Sequence, residues 1–419
     1  MAPPRIHLGP HRFQNHRILQ PSAGGGRRRP PSSYTLPMVA ACLSFVSGAV
    51  LFLVVLWDAF ESIVLPRRVT RKLRLTRIFY RTTWQILLTV SRLASSAKTR
   101  ESMLGYYGPI SLLLLLVIWA WGLVISFALL HYSAGSAITM VGFQPGFATD
   151  LYLSGTTFFT LGLGDVVPRS TLARAFTVAE AGLGFGFLAI VIGYLPVIYQ
   201  SFSRREVNIS LLDARAGSPP CAGELLRRHA YPHGIDALQD LLATWEHWSA
   251  DLMESHLSYP VLAFFRSQHD NQSWIASLTT ILDACALVMM GLEGACQRQA
   301  ELTFAIARHA VVDLSQTFYT PPTPVPYQRL DRTQLTQLRD VLAREGMKLH
   351  EGGGADARLT ELRALYEPYV YALSSYLHLP LPCWLPAAQG QDNWQTSAWA
   401  QASGLLQDPL VAGLPDDHS

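Results

Sequence analysis

Two charge-poor runs of bilayer length, residues 110–130 and 172–200, stand close together in the chain and limit what it can become. A helix rises about 1.5 Å per residue, so about 20 apolar residues cross a hydrocarbon core about 30 Å thick. Lipid offers no partner to a backbone polar group, so each run must pair its own backbone as a helix. A third run, residues 37–57, has the same length, with Asp58 and Glu61 expected to end it. Of 419 residues, 49% are hydrophobic but only 15% charged, which fits a membrane part joined to a soluble part. The apolar spacing beyond residue 204 is helical throughout, so the expected fold class is all-α, with a soluble α-helical C-terminal domain.

Between the first two runs lie Thr160, Leu161, Gly162, Leu163, Gly164 and Asp165, preceded by a short segment, residues 150–159. Span, short helix, Gly-x-Gly turn and span together read as a pore loop. A dehydrated cation needs backbone carbonyls directed inward in successive rings. Turning consecutive carbonyls to one side forces some residues into left-handed backbone, which glycine adopts cheaply. The larger residues then pack outward, and the Thr160 hydroxyl can add an oxygen ring.

This motif resembles the potassium-channel family, whose pore loop reads Thr-Val-Gly-Tyr-Gly-Asp, and the resemblance covers roughly residues 105–204. Leu161 stands for Val and Leu163 for Tyr. The resemblance implies a pore-loop ion channel module with outer helix, pore helix, filter and inner helix. It further implies Thr160 to Asp165 as the potassium-binding filter and a homotetramer, because one chain carries one loop. No cofactor is expected beyond the permeant potassium ion. Leu163 lacks the hydroxyl with which the family's Tyr braces the filter, so a non-selective monovalent cation channel is the nearest alternative. A membrane-anchored sensor with a vestigial pore is the alternative from another class.

Glu180 is the single acid within the second run, and a membrane carboxylate marks function by default. It is expected to support the filter through Thr156 or Thr157. By its offset from the filter, Gly184 matches the family's inner-helix hinge, although glycine equally permits close helix packing. Pro196 should kink the helix near its far end. Thr149 or Asp150 should cap the pore helix. Trp119 and Trp121 should pack on a neighbouring helix, and His131 and Tyr132 should mark the outer membrane interface.

Residues 1–35 carry six Arg and no acid and read as a disordered basic tail. Residues 67–100 hold ten basic residues, which the positive-inside rule places in the cytoplasm. Within them, residues 78–93 read as an amphipathic helix lying on the inner leaflet, with Arg and Lys on membrane lipid headgroups. Residues 37–57 then span alone, leaving the tail outside. If residues 78–93 also span, the tail lies inside. The division of the chain is thus a tail (1–35), a first span with basic linker (36–104), the pore domain (105–204), a cytosolic helical domain (205–385) and a flexible tail (386–419). The expected location is the cell membrane, with the C-terminal domain cytoplasmic.

In that domain, residues 225–228, 235–257, 274–293, 301–318, 333–345 and 359–379 have helical spacing, with breaks at 321–326 and 351–355. Residues 274–292 are apolar enough to be mistaken for a span. Asp283 at their centre would cost about 2.5 to 3.5 kcal/mol in a bilayer, so they read as the core helix of a bundle. No strand precedes a Gly-x-Gly-x-x-Gly, and no nucleophile constellation occurs, so neither a nucleotide-binding domain nor an enzyme is expected. The net charge of +3 gives no case for nucleic acid. The five cysteines show no CxxC pairing, and His247, His256, His269 and His309 read as helix-face or interior polar residues, not a metal site.

Overall fold

The computed structural model describes residues 38–63, 65, 74–135, 138–140, 145–269, 271–292, 294, 296–385 and 392–395. The basic tail, most of the final tail and Arg67, Arg68, Arg71 and Lys72 lie outside the described residues. The fold is all-α, with four helices long and apolar enough to cross a membrane.

Helices α1 (Met38–Ile63) and α3 (Ala97–Ser133) pack antiparallel along the upper half of α3. Small residues set the approach: a Cβ at Gly48 would lie 2.9 Å from the Ser126 carbonyl oxygen, and one at Gly122 2.8 Å from Val55. Asp58 and Glu61 do not end α1, which runs on to Ile63. Both carboxylates are buried because they knit three helices together. Asp58 accepts hydrogen bonds from Trp119 Nε1 (3.0 Å) on α3, and from the backbone N–H (3.2 Å) and hydroxyl (2.6 Å) of Thr76 in α2 (Leu75–Ser91). It thus occupies orphan donors in the first turn of α2 from another helix. Glu61 accepts from Trp57 Nε1 and faces Arg74 Nε at 3.4 Å. Trp119 packs as expected, whereas Trp121 points outward and is exposed.

Helix α2 is amphipathic, and its buried face packs on protein. It descends antiparallel beside the lower half of α3, from Thr76 near Trp119 through Thr83, bonded to Tyr107 at 2.8 Å, to Leu88, which joins Leu104 in one core cluster. Its buried face (Phe79, Trp84, Leu88) is held by protein contacts: Trp84 Nε1 donates to the Tyr376 carbonyl at 2.9 Å, and Tyr80 stacks on Phe264. With 17 residues it is not among the four helices long and apolar enough to cross a membrane. Because α1 and α3 are antiparallel, the C-terminal end of α1 is directed toward the end of α3 that packs on the C-terminal bundle.

Helix α4 (Phe147–Phe158) and the loop after it are bracketed by β1 (Ile138–Met140) and β2 (Val166–Pro168), which pair as a two-stranded antiparallel ribbon. Then α5 (Thr171–Ala216) runs 46 residues without a break, about 69 Å at helical rise. Its last turns are buried in a bundle of α6 (Ala222–Arg228), α7 (Gly234–Ser258), α8 (Trp274–Gly291), α9 (Gln297–Phe318), α10 (Arg332–Arg344), α11 (Gly353–Ala364) and α12 (Glu367–Leu377).

Helix α8 is the bundle's centre, its apolar length covered on all sides by protein. Asp283 faces Arg329 in a two-pronged ion pair (2.6 and 3.1 Å) and also accepts from the Tyr366 hydroxyl at 2.5 Å. The expected helix over 359–379 is two helices. Pro368 has no N–H to bond the Ala364 carbonyl and fits only the first turn of a helix, so α11 ends at Ala364 and α12 starts at Glu367. The expected break at 351–355 is shorter, since α11 starts at Gly353. Part of the final tail is fixed: Asp392 pairs with Arg228 at 2.6 Å, and Trp394 N–H donates to Asp213 at 3.3 Å.

Candidate functional site: the pore loop

The pore helix α4 begins at Phe147, earlier than expected, with Gly146 as cap, so neither Thr149 nor Asp150 caps it. Asp150 lies buried in the first turn, where its charge complements the positive end of the helix dipole. At the other end, the Thr156 carbonyl accepts from Leu161 N–H (2.8 Å) and more weakly from Gly162 N–H (3.4 Å), and the Thr157 carbonyl accepts from Thr160 N–H (3.0 Å). Thr156 and Thr157 thus hold the start of the loop after α4 through their backbones.

From there the backbone alternates. Thr160 (φ +58°), Gly162 (φ +56°) and Gly164 (φ +77°) are left-handed, whereas Leu161 and Leu163 between them are not. That alternation is what turns successive carbonyls to one side. Glycine takes this backbone at little cost, and Thr160 takes it against its preference. Leu161 and Leu163 are 63% and 64% exposed in the single chain, so their side chains point away from their own helices. At the outer end, the Tyr152 hydroxyl donates to Asp165 Oδ2 (2.8 Å), and Asp165 Oδ1 accepts from Val166 N–H (3.0 Å). This link from pore helix to filter exit supplies a hydroxyl anchor of the kind Leu163 lacks.

Glu180 is 0% exposed behind this loop, but not on Thr156 or Thr157. Ser154 Oγ hydrogen-bonds Glu180 Oε1 and lies 2.7 Å from the Val124 carbonyl; His131 Nε2 lies 3.5 Å from Glu180 Oε2. Ser154 and Thr156 are two residues apart, about 200° around a helix, so they cannot both face α5. Thr156 turns its hydroxyl to the Leu153 carbonyl instead. The outer helix, pore helix and inner helix therefore meet at a single carboxylate. His131 does not mark the membrane interface; it is buried at that junction. Ser154, His131 and Tyr152 escaped sequence reading because partners 13 to 49 residues apart carry no spacing signal.

Gly184 sits where α5 crosses the end of α4. A Cβ there would lie 2.1 Å from the Phe158 carbonyl oxygen, so close packing alone demands glycine. Gly184→Ala is expected to push α5 off the pore helix and cut ion flux at least about tenfold, for an interface shift costing more than about 1.4 kcal/mol. Wild-type flux in vesicles carrying the variant would refute this. Pro196 lies within α5, where it removes one backbone donor.

Of the four histidines, His309 pairs with Asp313 at 3.3 Å. His256 is buried between Trp274 and Arg205. Arg205 can only donate, so His256 Nε2 accepts (3.2 Å) and Nδ1–H donates to the Leu252 carbonyl (2.9 Å). Burial, with the Arg205 charge beside it, holds His256 well below its ordinary pKa and therefore neutral. Among the described residues, no three of His, Cys, Asp and Glu converge to hold a metal.

Span, pore helix, left-handed turn and inner helix define a membrane protein with a pore-loop module. Residues 113–200 match the family described as "Ion channel", and this segment is an ion channel module of that family. The chain is 26% identical over 222 residues to the "Uncharacterized membrane protein YdjJ" of Bacillus subtilis (strain 168). The match covers 52% of this chain and 63% of that relative, so the chain spans less than two thirds of the relative's length. No solved structure matches the chain.

Proposed function

We propose that the chain is one subunit of a homotetrameric potassium-selective channel, conducting passively through the carbonyls of Thr160 to Gly164. The left-handed backbone at Thr160, Gly162 and Gly164 carries this reading, because a cation filter needs its carbonyls on one side. The exposed apolar face of α5, with Phe185, Ile192 and Tyr199, supports assembly, since one chain alone leaves it uncovered. In this reading Glu180, Ser154 and His131 brace the filter from behind, and Asp165 with Tyr152 braces it at its outer end. No covalent chemistry and no cofactor enter. Residues 105–204 form the pore unit, and the bundle from residue 205 is cytoplasmic, on the side where Arg204 and Arg205 leave the span. Leu163, where the family has Tyr, favours a second reading, a non-selective monovalent cation channel. Bi-ionic flux in vesicles of the purified full chain separates the two. Potassium is expected to pass at least about a hundredfold faster than sodium, a difference of roughly 2.7 kcal/mol in barrier. Equal rates overturn selectivity, and no flux of either ion overturns the channel.

A further inference from the structure

Where the end of α2, the start of α3 and the end of α12 meet, they enclose a cavity of about 620 Å³. Two guanidinium groups, Arg92 and Arg100, line it, and neither has a carboxylate partner among the described residues. Glu101 is the acid on its wall, and Arg266 holds it in an ion pair. The cavity therefore carries an excess of positive charge. His378, on the opposite wall, registers it: burial and the charges of Arg266, Arg92 and Arg100 keep the imidazole below its ordinary pKa. Ser375 adds an exposed hydroxyl.

The surroundings say where an anion would come from. On α2, Ile86, Val90 and Leu93 are exposed at spacings of four and three, a continuous apolar stripe leading to the cavity mouth, and Leu93 is 84% exposed. On α3, exposed Tyr106 and Ile110 continue the lipid-facing side of the span. Arg100 lies six residues beyond Tyr106, about 9 Å, close to the depth of a headgroup layer roughly 5 to 7 Å thick. A soluble anion has no use for the apolar stripe, whereas a lipid needs both.

We propose that this cavity binds the phosphate of an anionic phospholipid headgroup between Arg92 and Arg100, with the acyl chains along Ile86, Val90 and Leu93. The bound lipid bridges the membrane part and the bundle, because α12 supplies one wall and α2 and α3 the others.

The test uses the detergent-solubilised full chain, titrated with dioctanoyl phosphatidylglycerol, dioctanoyl phosphatidylcholine or inorganic phosphate, with thermal unfolding as readout. Phosphatidylglycerol is expected to raise the melting temperature saturably and phosphatidylcholine to leave it unchanged. In R92Q/R100Q the apparent affinity for phosphatidylglycerol falls at least about tenfold, as expected for two lost charges near a lipid surface. R298Q, a charge removed from the far side of the bundle, keeps wild-type affinity, and R92K/R100K keeps most of it. Equal responses to the two lipids overturn the proposal, as does wild-type affinity in R92Q/R100Q. Saturation by inorganic phosphate at the same concentration as by phosphatidylglycerol overturns the lipid assignment in favour of a soluble phosphate. Should R92Q/R100Q not fold, R92Q and R100Q singly, each near the rim, carry the same comparison.

Discussion

Vesicles carrying the Gly162→Ala protein are expected to lose potassium flux by at least about a hundredfold while the protein still assembles. Gly162 holds φ +56°, and space is not the obstacle, because nothing within its own chain lies within 4 Å of an added Cβ. The cost is conformational. An L-residue in left-handed backbone costs roughly 1 to 2 kcal/mol. In the proposed fourfold ring that cost would recur in every subunit, disfavouring the ring by about 4 to 8 kcal/mol, well beyond the roughly 2.7 kcal/mol that a hundredfold change requires. Gly105→Ala is the control: it too has open space, but its backbone is ordinary helix, and flux should stay within about twofold. Flux surviving in Gly162→Ala would mean that the left-handed turn is not the conduction path, and would favour a membrane-anchored sensor.

The largest loss of stability is expected from Asp283→Ala. Arg329, in the connection between α9 and α10, is buried against α8 with Asp283 and Glu367 as its carboxylate partners, and its Nη2 also donates to the Pro382 carbonyl. Removing Asp283 leaves a buried guanidinium short of its main partner and the Tyr366 hydroxyl without its acceptor. Breaking such a pair costs about 3 to 5 kcal/mol. For a bundle of this size that is a fall in melting temperature of about 10 °C, readable by circular dichroism of the solubilised protein. Asp283→Leu with Arg329→Met should recover much of the loss, because apolar isosteres remove both desolvation costs together. An unchanged melting temperature in Asp283→Ala would show that the pair does not hold the bundle.

The parts of this molecule that a sequence displays are those fixed by near neighbours. The spans follow from hydrocarbon thickness, the filter from six consecutive residues, and the core position of α8 from the cost of Asp283 in lipid. What stayed hidden depends on contacts through space. Asp58 looked like the end of a span because its partners, Thr76 and Trp119, belong to other helices. Glu180 was legible as a residue with a task, but Ser154 and not Thr156 receives it, because helix rotation and not distance along the chain decides which hydroxyl faces α5. The amphipathic pattern of α2 was plain, yet its tilt was set by Trp84, Tyr107 and Phe264, aromatic partners spread over 180 residues.

The unbroken helix α5 has a mechanical consequence. Below Pro196 its remaining 20 residues form a rigid arm of about 30 Å. A bend of about 10° at the proline would swing the far end of that arm by roughly 5 Å. That end is not free to swing. Arg205 donates to the Leu262 (2.9 Å) and Phe265 (2.7 Å) carbonyls, and the Trp248 ring donates back to the Arg205 carbonyl. The segment it grips also presses on α2 and α3 through Phe264. With the arm clamped to the bundle, any rotation of the bundle would be carried along α5 to Gly184, where the helix lies against the end of α4.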